Sequence, residues 1–373
     1  MDTGHILFIA EGQLGDLLLL TPAIRAAKRS FPTAVVSVLI VERRGDPFPG
    51  MGPAHPVSDP LPRSANNPLA TDPDVDRLFV LSRPMLRSLN GLARVRAELS
   101  VIRWLRSQRF GTAICTFPQD RFFFWAFLSG AHVRVGEGGR GVSLLLTHRI
   151  TQRKSDAGVL AYYCALAEAA GARVFSRKTI YEVPEDAERW AEEVWRARGL
   201  APKGTVVAIH PGASGAYRVW PPEYYASLID FLQQEKQCQV ILCGGQLDRE
   251  VVEDVRSLCR IPPHVIMING GVSHLGALLR RCSLCVSNNS GPRHLAVAVG
   301  TPSLAIIPRF DDREWKIYDD EQTAGTVQSA GPCPACPPDS CRNTIPAGEQ
   351  YGSYCMRAIS VEDVIARVAS LLP

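Results

Sequence analysis

The chain has 373 residues and a mass of 40.8 kDa, which suits two domains and excludes a single small module. With 46% hydrophobic and 21% charged residues it calls for packed cores, which excludes a disordered tail or a fibre. The net charge of +4 hides an asymmetry: residues 1–180 carry 23 Lys/Arg against 14 Asp/Glu, or +9, and the remainder 18 against 23, or −5. A basic first half suits an anionic partner such as a phosphorylated saccharide or a membrane surface, although scattered solvated charges give the same count. No motif supports nucleic acid.

The apolar stretch Ile6 to Ala10 stops at Glu11, with no signal-peptide region or cleavage site after it. The longest apolar run, Phe122 to Leu128, is far below the roughly 20 residues of a membrane span and reads as a core helix. These features point to a cytoplasmic protein whose membrane contact, if any, is peripheral. Eleven cysteines without an export signal fit reduced thiols or a metal site better than a disulfide framework.

In chain order, residues 6–10 read as a buried strand, 11–16 as a polar loop and 17–31 as a helix, with Thr21-Pro22 as a fresh cap and first-turn proline. A second strand at 34–41 implies a parallel sheet. Residues 43–73, rich in Pro, Gly, Asn and Ser, read as a long surface loop of the kind that forms lids. A long helix over 85–109 carries Arg87, Arg94, Arg96, Arg103, Arg106 and Arg109 against only Glu98, so it either faces an anion or is simply solvated. A charged helix (185–198) and the segment 199–204 form a crossing, after which strands and helices alternate. Strands fall at 206–210, 239–243, 265–268, 284–287 and 303–307, and a helix closes the chain at 359–372. The expected organisation is a first domain over 1–180, a crossing over 181–204, a second domain over 205–358 and the closing helix over 359–373.

Three loops follow strands and carry candidate chemistry. Gln13, Gly15 and Asp16 lie where the first strand meets its helix, a place where ligands of parallel sheets bind. The spacing is not that of a dinucleotide fingerprint, and Asp16 is either a helix cap or a general base. His210, Gly212 and Ser214 precede Arg218, whose forked cation suits a diphosphate. Asn289, Ser290, Gly291 and His294 open a helix whose backbone N–H groups can hold phosphate oxygens. Finally, Cys333 and Cys336 form a CxxC pair that, with Cys341 and Cys355, is a candidate four-sulfur site for zinc or iron; free thiols and a disulfide are the alternatives. Cys282 and Cys285 also form CxxC, but lie in an apolar strand and read as packing residues.

The runs GDLLLLTPAIRAAKRSFP, HPGAS with RVWPPEYYASL, CGGQLDRE and SNNSGPRHLAVAVGTPSLAI, taken in order, resemble glycosyltransferase family 9, the ADP-heptose:lipopolysaccharide heptosyltransferases. The resemblance implies an α/β GT-B fold, two Rossmann-like parallel-sheet domains facing across a cleft, with the acceptor on the first and the nucleotide sugar on the second. It implies Asp16 as the base that deprotonates the acceptor hydroxyl for an inverting transfer of heptose from ADP-heptose. Arg218 matches a basic residue, often lysine, that neutralises the leaving diphosphate, so that catalysis requires no cofactor. Asp248, just after Gly244 and Gly245, matches the acidic position near the ribose. Asn289 departs from the family's usual aspartate, keeping hydrogen bonding but losing a charge. Gln13, Gly15 and Arg94 fall to the acceptor, an anionic saccharide or lipid-linked molecule at the inner membrane. Similar cysteine clusters recur in the family and hold iron in members that modify proteins. Two rival readings follow: a transferase for a protein or another polysaccharide, and a non-catalytic nucleotide-sugar-binding protein.

Overall fold

The structure, a computed structural model, describes residues 4–42, 56–63, 66–139, 141–153, 158–201, 204–309, 318, 323–329 and 344–372. They form two compact units, Met1–Ile180 and Tyr181–Pro373.

The first unit contains β1 (His5–Glu11), α1 (Leu14–Ser30), β2 (Val35–Glu42), β3 (Arg77–Ser82), α2 (Arg83–Ser88) and α3 (Gly91–Ser107). It continues with β4 (Thr112–Cys115), α4 (Asp120–Leu128), β5 (Val133–Glu137), β6 (His148–Ile150) and α5 (Val159–Ala169). Its sheet runs β3-β2-β1-β4-β5-β6 with every neighbour parallel. The central strands are apolar on both sides because helices cover both faces, and the order reverses between β1 and β4.

The second unit contains α6 (Glu185–Ala197), β7 (Val206–His210), α7 (Pro222–Gln234), β8 (Gln239–Gly244), α8 (Arg249–Leu258) and β9 (His264–Met267). Then come α9 (Gly271–Arg280), β10 (Leu284–Asn288), α10 (Gly291–Ala298), β11 (Ser303–Ile307), β12 (Ala324–Gln328), α11 (Tyr354–Arg357) and α12 (Val361–Leu371). Its order, β12-β11-β10-β7-β8-β9, is again all parallel and has the same topology as the first, with the switch between β7 and β10. Both units are Rossmann-like, and each offers a crevice at its switch point.

Three local readings change. Pro22 does not restart a helix: α1 is continuous, and the Thr21 hydroxyl donates to the Leu18 carbonyl that Pro22 leaves without an N–H. The arginine-rich helix is two helices, α2 and α3, separated by Leu89 and Asn90. In the loop 43–73, residues 43–55 and 64–65 lie outside the described residues. The rest is packed: Ser58 and Leu61 N–H groups donate to Val80 and Leu78 carbonyls of β3, and Arg63 donates to the carbonyls of Ala70, Asp72 and Val75.

The chain changes units over one peptide bond. The Ile180 N–H donates to Thr21 Oγ1 at 3.2 Å, within the first unit, and the Tyr181 N–H donates to the Ala298 carbonyl at 3.1 Å, within the second. Among the described residues no helix is long and apolar enough to cross a membrane.

Candidate active site

In the first unit, β1 delivers Glu11 and then Gly12, whose φ of +156° is available to glycine and strained for other residues. A Cβ on Gly12 would sit 2.4 Å from Asp16 Cβ and 2.8 Å from Oδ2, so glycine is what allows the carboxylate to fold back. Gln13 caps α1, and its backbone N–H donates to Asp16 Oδ2 at 3.3 Å. Asp16 therefore is not the cap itself but closes the cap from the third helical position, half-buried, where the helix N-terminus favours a negative charge. Gly15 is buried in the same turn and Gln13 is exposed. Arg94 is exposed on α3 and makes no hydrogen bond or ion pair among the described residues.

Beside this turn lies a charged set that the sequence reading missed. Glu11 is only 1% exposed; its Oε1 accepts from Arg83 Nη1 at 2.8 Å and its Oε2 from the Gln119 side-chain amide. These three residues end β1, open α2 after β3, and cap α4 after β4, so the ion pair ties together loops on both sides of the switch point. A buried carboxylate persists only with such partners. The sequence signal was a charge ending an otherwise apolar strand.

In the second unit, Asn288 ends β10 and plays the corresponding role. Fully buried, it accepts at Oδ1 from the Trp220 N–H and the Tyr225 hydroxyl, each at 3.0 Å, and donates from Nδ2 to the Pro211 carbonyl at 2.5 Å and the Gly212 carbonyl at 3.3 Å. One amide thus joins the loop after β7 to the end of β10. Trp220, also buried, donates its indole N–H to the Ile359 carbonyl.

Arg218 lies in the short turn Ala216–Arg218, half-buried, with Nη1 at 3.5 Å from Ser214 Oγ. The carbonyls of Ala216 and Tyr217 accept from Gly352 and Ser353 N–H groups at 3.0 and 2.9 Å, so the C-terminal segment braces this turn. Gly352 needs its φ of +78° to do so.

Asp248 joins two loops. Its Oδ2 accepts from the Gly245 N–H at 2.8 Å and lies 3.6 Å from His210 Nε2. A Cβ on Gly212 would stand 1.9 Å from Asp248 Oδ1, and one on Gly244 would stand 2.8 Å from Asp248 Cβ. Burial holds His210 below the ordinary histidine range and outweighs the opposing pull of Asp248, so the ring is neutral.

At the start of α10, Ser290 is the cap and its hydroxyl donates to the Asn288 carbonyl at 3.4 Å. Asn289 Oδ1 accepts from Arg293 Nη1 at 3.0 Å. Arg293 is fully buried with its guanidinium 5.4 Å over the Tyr318 ring, and burial brings it down to about 10, so it stays charged at neutral pH. His294 Nδ1 shares a hydrogen bond of 2.9 Å with the Tyr318 hydroxyl; burial and the Arg293 charge keep it neutral.

The second unit therefore brings together His210, Gly212, Ser214, Arg218, Gly244, Gly245, Asp248, Asn289, Ser290, Gly291 and His294 on strand ends and the loops after them. This set offers a permanently charged guanidinium and a helix N-terminus, which suits a diphosphate, while Gly212 and Gly244 make room for the Asp248 side chain. Of the cysteine cluster, Cys333, Cys336 and Cys341 lie outside the described residues; Cys355 is buried at the start of α11, with Sγ 3.3 Å from Ser353 Oγ. Cys282 and Cys285 are buried thiols of the core, as expected.

Residues 100–342 match the model of glycosyltransferase family 9 (heptosyltransferase). Over 378 aligned residues, 96% of this chain and 95% of that protein, the sequence is 24% identical to lipopolysaccharide heptosyltransferase 3 of Escherichia coli K12. The fold resembles a family 9 glycosyltransferase from Veillonella parvula, with TM-score 0.74, 18% identity, and coverage of 99% of this chain and 97% of that one. It also resembles E. coli heptosyltransferase WaaC with ADP-2-deoxy-2-fluoro heptose, with TM-score 0.64, 13% identity, and coverage of 98% and 99%.

Proposed function

Because the chain belongs to glycosyltransferase family 9, the heptosyltransferases, we propose that it moves heptose from ADP-heptose to a saccharide acceptor of the lipopolysaccharide core. The observation that carries this reading is that every donor-side residue named above, from His210 to His294, falls within the family match.

In this reading the first unit takes the acceptor, through Gln13, Gly15 and Arg94, and Asp16 removes the proton from the attacking hydroxyl. The oxygen attacks the anomeric carbon of the heptose as its bond to the diphosphate breaks, inverting the configuration. Arg218 neutralises the charge that grows on the leaving ADP, and the backbone N–H groups of Ser290 and Gly291 assist it at the diphosphate. Asp248 accepts hydrogen bonds from the ribose. These protein groups supply the charge stabilisation that the transfer needs. The acceptor is anionic and lipid-linked, which suits the charge of the first unit and implies work on the cytoplasmic side of the inner membrane.

Cys333, Cys336, Cys341 and Cys355 remain a candidate structural site for zinc or iron, and metal analysis of protein purified without chelator tests it. Less than about 0.1 equivalent of any metal rejects the site, since a structural thiolate site is filled in the folded protein.

The function itself is tested by thermal shift with ADP, UDP, GDP, CDP and ADP-heptose, because a ligand that binds only the folded state raises its stability. The expected result is a selective rise with ADP and a larger one with ADP-heptose. A larger rise with another nucleotide overturns the donor assignment. Binding of ADP-heptose without ADP release, given a lipopolysaccharide core acceptor, overturns the acceptor or the catalysis.

A further inference from the structure

Ten large apolar side chains are exposed among the described residues, and six of them lie on adjoining elements of the first unit. Leu92, Val95 and Leu99 are on α3, Phe124 and Phe127 on α4, and Leu144 is in the short turn Gly141–Leu145 that packs on α4. Such clustering is unlike the scattered single exposures of an ordinary surface.

Helix α3 has two apolar stripes. Ala97, Val101 and Leu105, four apart, are buried and serve the core. Leu92, Val95 and Leu99 recur at spacings of three and four on nearly the opposite side, and all of residues 91–96 are exposed. Helix α4 runs beside α3, held by Arg121 to Glu98 at 3.4 Å and by Arg106 Nε to the Leu128 carbonyl at 2.9 Å. The exposed faces of the two helices are therefore neighbours.

The charge on this region is one-sided. Between residues 83 and 134 there are nine arginines against two acidic residues, Glu98 and Asp120. Arg87, Arg94, Arg96, Arg103, Arg106 and Arg109 are exposed and none is ion-paired among the described residues. Arg134 instead lies over the Phe127 ring at 5.6 Å.

Aliphatic and aromatic side chains in water, ringed by unneutralised guanidinium groups, match one environment on both counts. The headgroup region of an anionic bilayer accepts apolar side chains at the acyl boundary and offers phosphates to arginines, whose long stems let the charge reach them. Nucleic acid would meet the arginines and leave the leucines uncovered.

We propose that the α3–α4 face of the first unit docks on an anionic lipid bilayer, with Leu92, Val95, Leu99, Phe124 and Phe127 at the acyl boundary and Arg96, Arg103 and Arg106 on lipid phosphates. This deepens the reading of a lipid-linked acceptor and rests on that reading only for its biological use.

The test is co-sedimentation of the full chain with vesicles of phosphatidylcholine alone and of phosphatidylcholine with about a third phosphatidylglycerol, at low and physiological salt. The chain should pellet with the anionic vesicles and stay in solution with the zwitterionic ones. The double variants Leu92→Ser/Leu99→Ser and Arg96→Gln/Arg103→Gln should each lower the bound fraction at least about tenfold, since each removes one of the two attractions. Because these side chains are exposed, both variants should keep the native Tm and native turnover on a deacylated, soluble core saccharide.

No binding to anionic vesicles, or binding that both variants retain, overturns the proposal. So does a concentration-dependent dimer, seen by light scattering, that the same substitutions abolish, since the face would then belong to a second copy. If the native chain fails to turn over the deacylated saccharide but still binds vesicles, the transferase reading falls and the docking surface stands.

Discussion

Asp16 and Asp248 hold the same local position in two different units: each lies four residues after a glycine that follows or ends a strand, and each turns its carboxylate back onto a backbone N–H at the next helical start. The glycine is needed in both cases, because a Cβ on Gly12 or Gly244 would collide with the aspartate's own Cβ. Their surroundings then separate them. Asp248 also meets His210 at 3.6 Å and fills the space above Gly212, whereas Asp16 sits in the first turn of a 17-residue helix. Asp248 is built to join loops, Asp16 to place a carboxylate at a helix start.

Substituting Asp16→Asn keeps an acceptor for the Gln13 N–H and removes the negative charge together with the capacity to take a proton. Steady-state ADP release with acceptor should fall about 10²- to 10⁴-fold in kcat, with Tm lowered by no more than about 4 °C through the lost helix-terminus charge. Turnover within a few-fold of native would end the assignment of Asp16 as base.

Gly212→Ala places a methyl group where Asp248 Oδ1 now stands, at 1.9 Å. The carboxylate must leave, and its bond to the Gly245 N–H goes with it. The stabilisation conferred by ADP should shrink to less than half of its native size in a thermal-shift titration. An unaltered ADP response would show that Asp248 has no part in holding the nucleotide.

The neighbours Asn288 and Asn289 should respond unequally to the same change. Asn288→Asp sets a carboxylate against the Pro211 and Gly212 carbonyls in a fully buried site, with a cost of about 3 kcal/mol or more. That corresponds to a fall in Tm of roughly 6–12 °C. Asn289→Asp gives Arg293 an anionic partner at 3.0 Å, and Tm should stay within about 3 °C of native. Calorimetry of the two variants checks this, and equal destabilisation would contradict the arrangement seen here.

Stability should also depend on pH through the buried histidines. His210 and His294 are both held below the ordinary value of 6.5, so the unfolded chain takes up protons that the folded chain refuses. Their contribution is complete above about pH 6.5 and is lost as the pH falls below it. A ring still neutral at pH 5.5 costs about 1.4 kcal/mol there relative to neutral pH. His5 shifts the same way. Tm should be level from pH 8 to 7 and decline from 6.5 to 5.5, and His294→Asn, which can keep a bond to Tyr318, should flatten part of that decline. A slope unchanged in the variant would place the titration elsewhere.

Much of the second unit was legible because β7, β8, β10 and β11 are short apolar runs, each followed at once by glycine, proline or asparagine, so that pattern and turn chemistry agree, whereas β12, which ends at Gln328 before Ser329, carries no such signal and was not legible. The first unit was harder to read. β3 carries the apolar run Leu78-Phe79-Val80-Leu81 but follows a proline-rich stretch that reads as loop, β4 has only four residues, and β6 is the largely exposed His148–Ile150. Thr21-Pro22 carries the signature of a helix start but sits inside α1, where the threonine hydroxyl fills the place of the missing N–H. Among site residues, those on motif loops could be named in advance. Glu11, Arg83 and Gln119 could not be grouped, since they are far apart in sequence and only the strand order β3-β2-β1-β4 makes them neighbours. Asn288 was visible as a letter of a motif, but its four bonds depend on the β7–β10 pairing.

The bonds of Ile180 and Tyr181 have a mechanical consequence. Successive amides are pegged in different units, the Ile180 N–H to Thr21 and the Tyr181 N–H to Ala298, so each unit fixes its own end of the chain at this point. Thr21, remote in sequence from Ile180 and already occupied in mending α1, thereby also anchors the last residue of the first unit, so loss of its one hydroxyl loosens a helix and a chain end together.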